Sequence, residues 1–245
     1  MNLIIDIGNT GIKLAVFDNN NRLMHFQRLE NHDDINRILE TLIQNFRVTN
    51  AIISQVGKPV QSLNDWLTTH QIKFLYLSTH LKLPFSIRYK SPETIGADRL
   101  GLVAGAVFKK PRNNILIIDA GTCVTYDFID RNNVYYGGAI SPGLQLRFKS
   151  LHDYTENLPL LQPEEDDIPL IGDTTLTSIQ SGVINGLVNE IEGFIVKYNL
   201  KFADLTVYLT GGNEKLLDRY IKNKIFVSSK FLLLEGLNFI LNLNK

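Results

Sequence analysis

One short pattern occurs twice in this chain. Residues 3–8 read Leu-Ile-Ile-Asp-Ile-Gly and residues 116–121 read Leu-Ile-Ile-Asp-Ala-Gly, so five of six positions match, and Thr122 falls where Asn9 was. In each copy a hydrophobic run ends in a carboxylate and is followed by small, hydrogen-bonding residues, a pattern typical of a strand, a polar turn and a second strand. The repeat predicts a duplicated chain.

The first turn has the composition of a phosphate site. Gly8 and Gly11 leave room for a ligand to approach the main chain and permit a positive φ. Asn9, Thr10 and Lys13 supply donors suited to phosphate oxygens. The first turn therefore predicts a cradle for a polyphosphate.

Composition narrows the class of protein. Of 245 residues 44% are hydrophobic, enough for a core in each half, and 25 Lys plus Arg balance 25 Asp plus Glu. Without a basic field we expect no nucleic-acid partner. The one cysteine excludes an intramolecular disulfide and a multi-cysteine metal site, in keeping with a reducing compartment. The start of the chain is unlike a signal peptide, and no apolar run approaches the roughly 20 residues of a spanning helix. We expect a soluble, cytoplasmic protein with no membrane partner.

The order of predicted elements in the first half is that of a ribonuclease H-like fold. Three strands come first, then helices and strands alternate. Asp33 or Asp34 caps the first helix, and Ser91 with Pro92 starts another that runs to about Phe108. The strands and helices before that are expected at residues 3–8, 14–17, 22–28, 35–46, 51–54, 63–69 and 74–77, followed by a loop at 84–92.

Polar residues 109–114 mark the domain boundary, which gives an N-terminal domain at 1–110 and a C-terminal domain at 111–245. The second domain repeats the hairpin, and its glycines at 137–143 predict a turn between a strand and a helix. Residues 157–175 form a long loop, which often serves a site, and Thr175 is expected to cap the next helix. The remaining strands are expected at 115–119, 124–129, 134–136, 205–209 and 225–227, with helices at 144–155 and on either side of the last strand.

Twin Asp-x-Gly hairpins of this kind mark the actin, sugar kinase and heat-shock chaperone superfamily, which this chain resembles. Within it the motifs resemble type III pantothenate kinase over nearly the whole chain. The resemblance implies an α/β fold of two duplicated ribonuclease H-like domains, the actin-like ATPase fold, with the active site in the cleft between them. The motifs are residues 6–13, 96–99, 119–125, 137–143, 210–212 and 235–237.

The chain has no Walker A sequence and no kinase glycine-rich loop, so a nucleotide has to be held in another way. Asp6 can orient Mg²⁺ through water, since hard cations prefer oxygen ligands; the competing interpretation is a strand-end residue that hydrogen-bonds its own turn. By resemblance, the residues that contact ATP are Asp6, Ile7, Gly8, Asn9, Thr10, Gly11, Ile12, Lys13 and Thr122.

Asp98 is the expected general base. It lies among small and apolar residues of a predicted helix, where a carboxylate beside Arg99 needs a reason, although a surface ion pair is the alternative. By resemblance, Asp98 accepts the proton of the primary hydroxyl of pantothenate, and an aspartate of ordinary pKa suffices if it lies within hydrogen-bonding reach. Tyr89 is alternatively a packing residue and Thr174 a helix cap. The substrate-binding residues implied are Tyr89, Gly96, Ala97, Asp98, Arg99 and Thr174.

Asp119 is, by resemblance, the ligand of a monovalent cation, K⁺ or NH₄⁺; its alternative is a structural mirror of Asp6. Cys123 has apolar neighbours and is expected to be inert core. Members of the family are homodimers, which would let the loop at 157–175 complete the site of a partner subunit.

The first hypothesis for function is ATP-dependent phosphorylation of pantothenate to 4'-phosphopantothenate, which opens coenzyme A biosynthesis. A non-catalytic, nucleotide-binding regulator on the same scaffold is the alternative, since fold does not fix function. Against it, Asp6, Lys13, Asp98, Arg99 and Asp119 are all present. An acetate-type or sugar kinase is a third possibility, which the short length of the chain argues against.

Overall fold

A computed structural model describes residues 1–8, 10–30, 35–55, 61–164, 167–221 and 226–245. It is an α/β protein with two mixed sheets. Contacts divide the chain into unit 1, which contains Met1–Pro111, Asn133–Tyr135 and Phe231–Lys245, and unit 2, which contains the residues between them. The C-terminal segment therefore groups with unit 1, whereas the division at residue 110 assigned it to the second domain.

Unit 1 is built on a five-stranded sheet in the order β3-β2-β1-β4-β5. The β1–β2 and β2–β3 pairs are antiparallel, and the β1–β4 and β4–β5 pairs are parallel. This topology confirms the predicted ribonuclease H-like order. The strands are β1 (Asn2–Gly8), β2 (Gly11–Phe17), β3 (Leu23–Leu29), β4 (Asn50–Gln55) and β5 (Lys73–Tyr76).

Alternation along β1 divides the core of unit 1 between two faces. Leu3, Ile5 and Ile7 join a cluster with the buried faces of α1 (Ile35–Asn45) and α2 (Gln61–Thr69). The predicted caps of α1, Asp33 and Asp34, lie outside the described residues.

The start of α3 differs from the sequence prediction. A 3₁₀ turn (Pro92–Thr94) follows Ser91, and α3 (Ala97–Lys109) begins after extended Ile95, with Gly96 as its N-cap. Ser91 makes no side-chain capping bond to the backbone, because its hydroxyl lies 2.8 Å from the Thr94 hydroxyl.

Glycines explain why the last helix belongs to unit 1. A Cβ on Gly236 of α7 (Leu232–Leu243) would lie 1.9 Å from the Gly101 carbonyl oxygen of α3. A Cβ on Gly105 would lie 2.1 Å from the Leu232 carbonyl oxygen. Because no side chain separates them, the two backbones touch; α7 also packs on β1 and β4 of the first sheet, and α3 packs on β4.

Unit 2 repeats the strand order of unit 1. The sheet runs β11-β10-β7-β8-β9-β6, so β9-β8-β7-β10-β11 corresponds to β3-β2-β1-β4-β5. The edge strand β6 (Ser86–Ile87), in the predicted 84–92 loop, belongs to unit 1, as do Val134 and Tyr135, with which it pairs. The other strands are β7 (Asn114–Ala120), β8 (Cys123–Ile129), β9 (Val134–Pro142), β10 (Leu205–Thr210) and β11 (Val227–Ser228).

The turn predicted at 137–143 is wrong, because β9 continues to Pro142. Gly138 serves the strand pairing, since a Cβ there would lie 1.5 Å from the Tyr126 carbonyl oxygen. The last predicted strand is shifted to β11, and Ile225, with which that prediction began, lies outside the described residues.

Three helices complete unit 2: α4 (Leu144–Asp153), α5 (Thr175–Lys201) and α6 (Glu214–Tyr220). Their apolar residues close over one face of the sheet around Tyr126 and Phe148. The described residues of the 157–174 segment form neither helix nor strand. Within the described ranges, no helix combines the length and apolarity needed to cross a bilayer.

Candidate active site

Three side chains lie side by side where β1 ends. Strand register sets Asp6 directly opposite Lys13 on β2 and Ser54 on β4, so all three point to the same side of the sheet. Asp6 is only 4% exposed, and its Oδ2 lies 3.0 Å from the Lys13 Nζ. We call Lys13, Asp6 and Ser54 the first row.

Ser54 has no apparent structural role in this row. Its side chain is buried, and its hydroxyl finds no hydrogen-bond partner among the described residues. A buried hydroxyl without a partner costs about 1–3 kcal/mol. The first row therefore carries a polar atom that a ligand or water is needed to satisfy.

The turn that follows Asp6 is tightly constrained. Gly11 has φ 142°, and a Cβ there would lie 2.4 Å from the Leu29 carbonyl oxygen. Thr10 is exposed, and Asn9 lies outside the described residues. The side chains of Ile7 and Ile12 are buried in the core, which leaves only their backbone for the predicted ATP contact.

The predicted substrate residues of unit 1 meet at the start of α3. The Arg99 side chain is buried, and its guanidinium carbon lies 6.0 Å from the Tyr89 ring centroid, within the range of a cation–π contact. The Arg99 amide donates to Asp98 Oδ1 at 2.8 Å. A Cβ on Gly96 would lie 2.5 Å from the same oxygen, so the Asp98 carboxylate would have to shift to admit a larger residue. Asp98 is thus held at a helix N-terminus, where negative charge is favoured.

Unit 2 has a corresponding row with different chemistry. Asp119 at the end of β7 lies opposite Thr125 on β8 and Thr210 on β10. We call Thr125, Asp119 and Thr210 the second row. Thr125 is 9% exposed, and its hydroxyl has no hydrogen-bond partner in the described part of the chain.

Glycines surround the Asp119 carboxylate. Gly211 has φ 103°, and a Cβ there would lie 2.5 Å from Asp119 Oδ1. A Cβ on Gly121 would lie 3.7 Å from the same oxygen. The Asn213 amide donates to the Ala120 carbonyl at 3.0 Å, which fixes the Gly211 turn beside the strand. Carboxylate, hydroxyl and closely approaching backbone form a donor set that fits a hard cation.

Thr122, the predicted ATP contact of unit 2, is exposed in the turn after Asp119. Its carbonyl accepts a hydrogen bond of 3.1 Å from the Gly143 amide, and a Cβ on Gly143 would lie 2.3 Å from that oxygen. Of the 137–143 motif, it is thus Gly143 that contacts this turn.

A charged network braces the segment before Gly143. Glu190 of α5 accepts hydrogen bonds from Tyr126, Ser141 and Arg147, and Arg147 also donates to the Pro142 carbonyl at 2.9 Å. Burial acts to raise the pKa of Glu190, but the hydrogen bonds, that from Arg147 foremost, outweigh it and leave the pKa below its usual value. Burial and the Glu190 carboxylate raise the pKa of Tyr126.

Thr174 is the N-cap residue of helix α5. Its hydroxyl accepts from the Thr177 amide at 3.1 Å, so the helix cap predicted at Thr175 lies one residue earlier. Its substrate contact stays a prediction.

Cys123 is exposed, so the prediction of inert core is wrong. The described residues contain no group of three or more His, Cys, Asp or Glu that could hold a metal.

Sequence reasoning missed Ser54 and gave no role to Thr125 or Thr210, although both threonines lie in motifs, at 119–125 and 210–212. The available signal was spacing: in a hairpin as short as residues 119–125, the residue opposite Asp119 can be counted from the turn. Ser54 and Thr210 depend on parallel pairing between distant strands, which no local pattern specifies.

Two sheets that share a five-strand order, each with an aspartate at the end of the strand that opens its hairpin, define the actin-like ATPase fold, which sugar kinases also have. A Baf family protein from Campylobacter jejuni, described as a candidate transcriptional activator, shares this fold with a TM-score of 0.61 at 22% identity, over 98% of this chain and 97% of that one. A candidate N-acetylmannosamine kinase from Listeria monocytogenes gives a TM-score of 0.56 at 13% identity, over 98% of both chains.

The sequence model of type III pantothenate kinase matches residues 2–197. A type III pantothenate kinase from Christiangramia forsetii is 49% identical over 246 aligned residues, which cover 100% of this chain and 99% of the relative. The chain belongs to the type III pantothenate kinase family.

Proposed function

We propose that this protein transfers the γ-phosphoryl group of ATP to pantothenate, which yields 4'-phosphopantothenate and ADP and opens coenzyme A biosynthesis. Membership of the family supports this activity. The observation that carries the assignment of roles is the group at the start of α3, where Asp98, Arg99 and Tyr89 lie together.

The first row and its turn hold the nucleotide in this proposal. Phosphoryl transfer depends on positioning and on neutralising the charge of the transferred group. Lys13, whose side chain is 41% exposed, has an ammonium that can reach a phosphate while it remains beside Asp6. The residues assigned to ATP are those of 6–13 together with Thr122. Mg²⁺ carried with ATP would lie near Asp6, held through water, and would neutralise phosphate charge when bound.

Asp98 acts as the general base. As the primary hydroxyl oxygen of pantothenate bonds to the γ-phosphorus, the bond from that phosphorus to the ADP oxygen breaks, and the hydroxyl proton passes to the Asp98 carboxylate. The bond from the Arg99 amide fixes one carboxylate oxygen and limits its rotation. Arg99 and Tyr89 bind and orient the substrate, and Gly96 and Ala97 supply backbone at the helix N-terminus.

Asp119 would hold K⁺ or NH₄⁺, and the fit rests on the carboxylate, the Thr125 hydroxyl without a partner, and the space that Gly211 leaves. A cation at this position would add positive charge to the phosphate-binding turn at Thr122. We further propose that the protein acts as a homodimer in which exposed Thr174 contacts the substrate of a partner subunit.

The test replaces Asp98 with Asn, which keeps the size of the side chain and removes its basicity. We expect kcat to fall by about 10²–10⁴-fold, the usual contribution of general base catalysis. Nucleotide binding, measured by calorimetry, should be retained. Formation of phosphopantothenate is followed by coupling ADP release to NADH oxidation, with mass spectrometry of the product.

Asp65→Asn is the matched control, because Asp65 lies on helix α2 of the same unit and its carboxylate accepts a hydrogen bond of 2.9 Å from Gln61, one turn earlier on that helix. Its kcat should stay within about twofold of the unaltered protein, as for most surface changes. Full activity in the Asp98→Asn protein would remove Asp98 from the reaction.

A further inference from the structure

We infer that Thr125 is an additional residue of the cation site at Asp119, and that its hydroxyl oxygen contacts the monovalent cation or a water molecule bound to it. The inference deepens the proposed function, since it rests on a cation site at Asp119. It assigns to Thr125 a role in holding the ion rather than in the chemical step.

The first observation is the state of the hydroxyl. Thr125 is 9% exposed, and its Oγ1 has no hydrogen-bond partner within the residues that the structure describes. Native proteins pair nearly all buried polar groups, and an exception calls for an explanation such as a water or an ion. Valine would fill the same volume without this penalty. The hydroxyl therefore indicates a ligand atom that the protein itself does not supply.

The second observation is direction. Thr125 and Asp119 are directly paired in the antiparallel β7–β8 hairpin. Directly opposite side chains project from the same side of a sheet with Cβ atoms about 4.5–5.5 Å apart, close enough to share one ion or one water molecule. Gly211, on the turn after β10, adds no side chain to this space.

The third observation is the corresponding position in unit 1. There Lys13 lies opposite Asp6, and its ammonium pairs with the carboxylate at 3.0 Å. In unit 2 a neutral threonine occupies this position, and Thr210, also neutral, flanks Asp119 on the other side. Both rows thus contain a carboxylate and a hydroxyl on the parallel strand, and they differ in that Thr125 places an oxygen where Lys13 places an ammonium. Oxygen donors of this kind are the ligands that hard cations prefer.

Three variants separate a contact with the cation from a structural role. Thr125→Val removes the hydroxyl at nearly constant volume, and Thr125→Ser keeps the hydroxyl. Thr155→Val is the control, because it removes a threonine hydroxyl of the same unit that donates to the Leu151 carbonyl at 2.6 Å and belongs to neither row. Each protein is titrated with KCl against choline chloride at constant ionic strength. The readouts are the K⁺-induced rise in Tm and the K⁺ concentration that half-activates phosphopantothenate formation.

We expect Thr125→Val to raise the half-saturating K⁺ concentration by about tenfold or more, the size expected when a contact to a charged group is lost. Its Tm in choline chloride should equal or exceed that of the unaltered protein, since no protein hydrogen bond is removed. Thr125→Ser and Thr155→Val should keep the K⁺ half-saturation of the unaltered protein within about twofold, as for changes that leave a site intact.

An unchanged K⁺ response in Thr125→Val would overturn the inference, as would a lower Tm in choline chloride with a normal K⁺ response, which marks a structural residue. If the unaltered protein makes phosphopantothenate but ignores K⁺, the cation site fails and Thr125 with it. If it makes no phosphopantothenate, the proposed function fails, while the K⁺-induced change in Tm still decides for or against Thr125.

Discussion

The two rows of strand-end residues share a backbone plan and differ in charge. Each has an aspartate flanked on one side by a hairpin partner and on the other by a parallel strand. Lys13 in the first row corresponds to Thr125 in the second, so an ammonium is replaced by a hydroxyl. Ser54 and Thr210 correspond to each other, and both are hydroxyls. The same backbone arrangement thus supports two electrostatic environments, which differ because a lysine lies opposite Asp6 and a threonine lies opposite Asp119.

This difference fits two tasks within one reaction. Lys13 neutralises the buried Asp6 and leaves an ammonium that can attract phosphate oxygens. Asp119 has no lysine directly opposite it, and the two other side chains of its row are neutral oxygen donors. We therefore expect exchanges between the rows to change which ion each one binds.

The largest effect should come from making the first row resemble the second with Lys13→Thr. Removing a cation that contacts a transferred phosphoryl group costs about 10²–10³-fold in kcat/KM for ATP, by analogy with the loss of one electrostatic donor. Asp6, only 4% exposed, also loses its ion pair, and we expect a loss in unfolding free energy of about 1–2 kcal/mol, less than for a fully buried pair because Lys13 is 41% exposed.

Steady-state kinetics and urea unfolding measure the two effects of Lys13→Thr. Lys13→Arg serves as the control for charge and should lose much less stability. Unaltered kcat/KM for ATP in the threonine variant would show that the contrast between the rows has no part in nucleotide use.

A second prediction concerns the turn at Gly211, whose backbone lies against the Asp119 carboxylate. Gly211→Ala places a Cβ at a left-handed φ of 103° and 2.5 Å from Asp119 Oδ1. The backbone conformation alone costs about 1–3 kcal/mol in a residue other than glycine. We expect a lower Tm together with a weaker K⁺ response.

Gly212→Ala is the matched control for Gly211→Ala, since a Cβ there meets nothing within 4 Å. It should change the unfolding free energy by no more than about 0.5 kcal/mol. Equal losses in the two variants would contradict the role given to the Gly211 turn.

The smallest effect concerns the hydrogen bonds of Glu190 to Tyr126, Ser141 and Arg147, which support the segment before Gly143. The pKa of Glu190 is lowered in the folded protein, so its contribution to stability is present above the unfolded pKa, near 4.5, and is lost as pH falls through the lower folded pKa. Glu190→Gln should therefore lose about 1 kcal/mol at neutral pH, a typical net value for a hydrogen bond. The loss should shrink below pH 4.5.

Urea unfolding at several pH values checks the Glu190 prediction. A deficit of Glu190→Gln that stays constant from neutral to acidic pH would show that the carboxylate charge is not what stabilises the segment before Gly143.

Much of the fold could be predicted from the sequence because each copy of the repeated pattern is a short run of consecutive residues. Asp6 and Asp119 both end a hydrophobic strand, and the strand order that follows confirms two ribonuclease H-like sheets. The last helix could not be assigned from position in the chain. Its place in unit 1 depends on glycine contacts between α3 and α7, residues more than a hundred positions apart.

The errors near the site arose where a local sequence pattern was interpreted without the three-dimensional contacts that decide the structure. Glycines at 137–138 look like a turn, but one of them is required by close backbone approach within a sheet. Cys123 has apolar neighbours in sequence, but it starts a strand beside an exposed turn. Ser54 lies in no motif, and the motif at 119–125 assigns no role to Thr125; the significance of both lies in a buried hydroxyl without a partner among the described residues, which only a three-dimensional structure shows.

The most direct test of the central claim is phosphorus NMR of the purified protein with ATP, Mg²⁺ and pantothenate as the sole acceptor, in potassium buffer. We predict one phosphomonoester signal from 4'-phosphopantothenate that grows in proportion to ADP. ATP that binds to the protein but is never transferred to pantothenate would contradict the account and favour a nucleotide-binding regulator on the same fold.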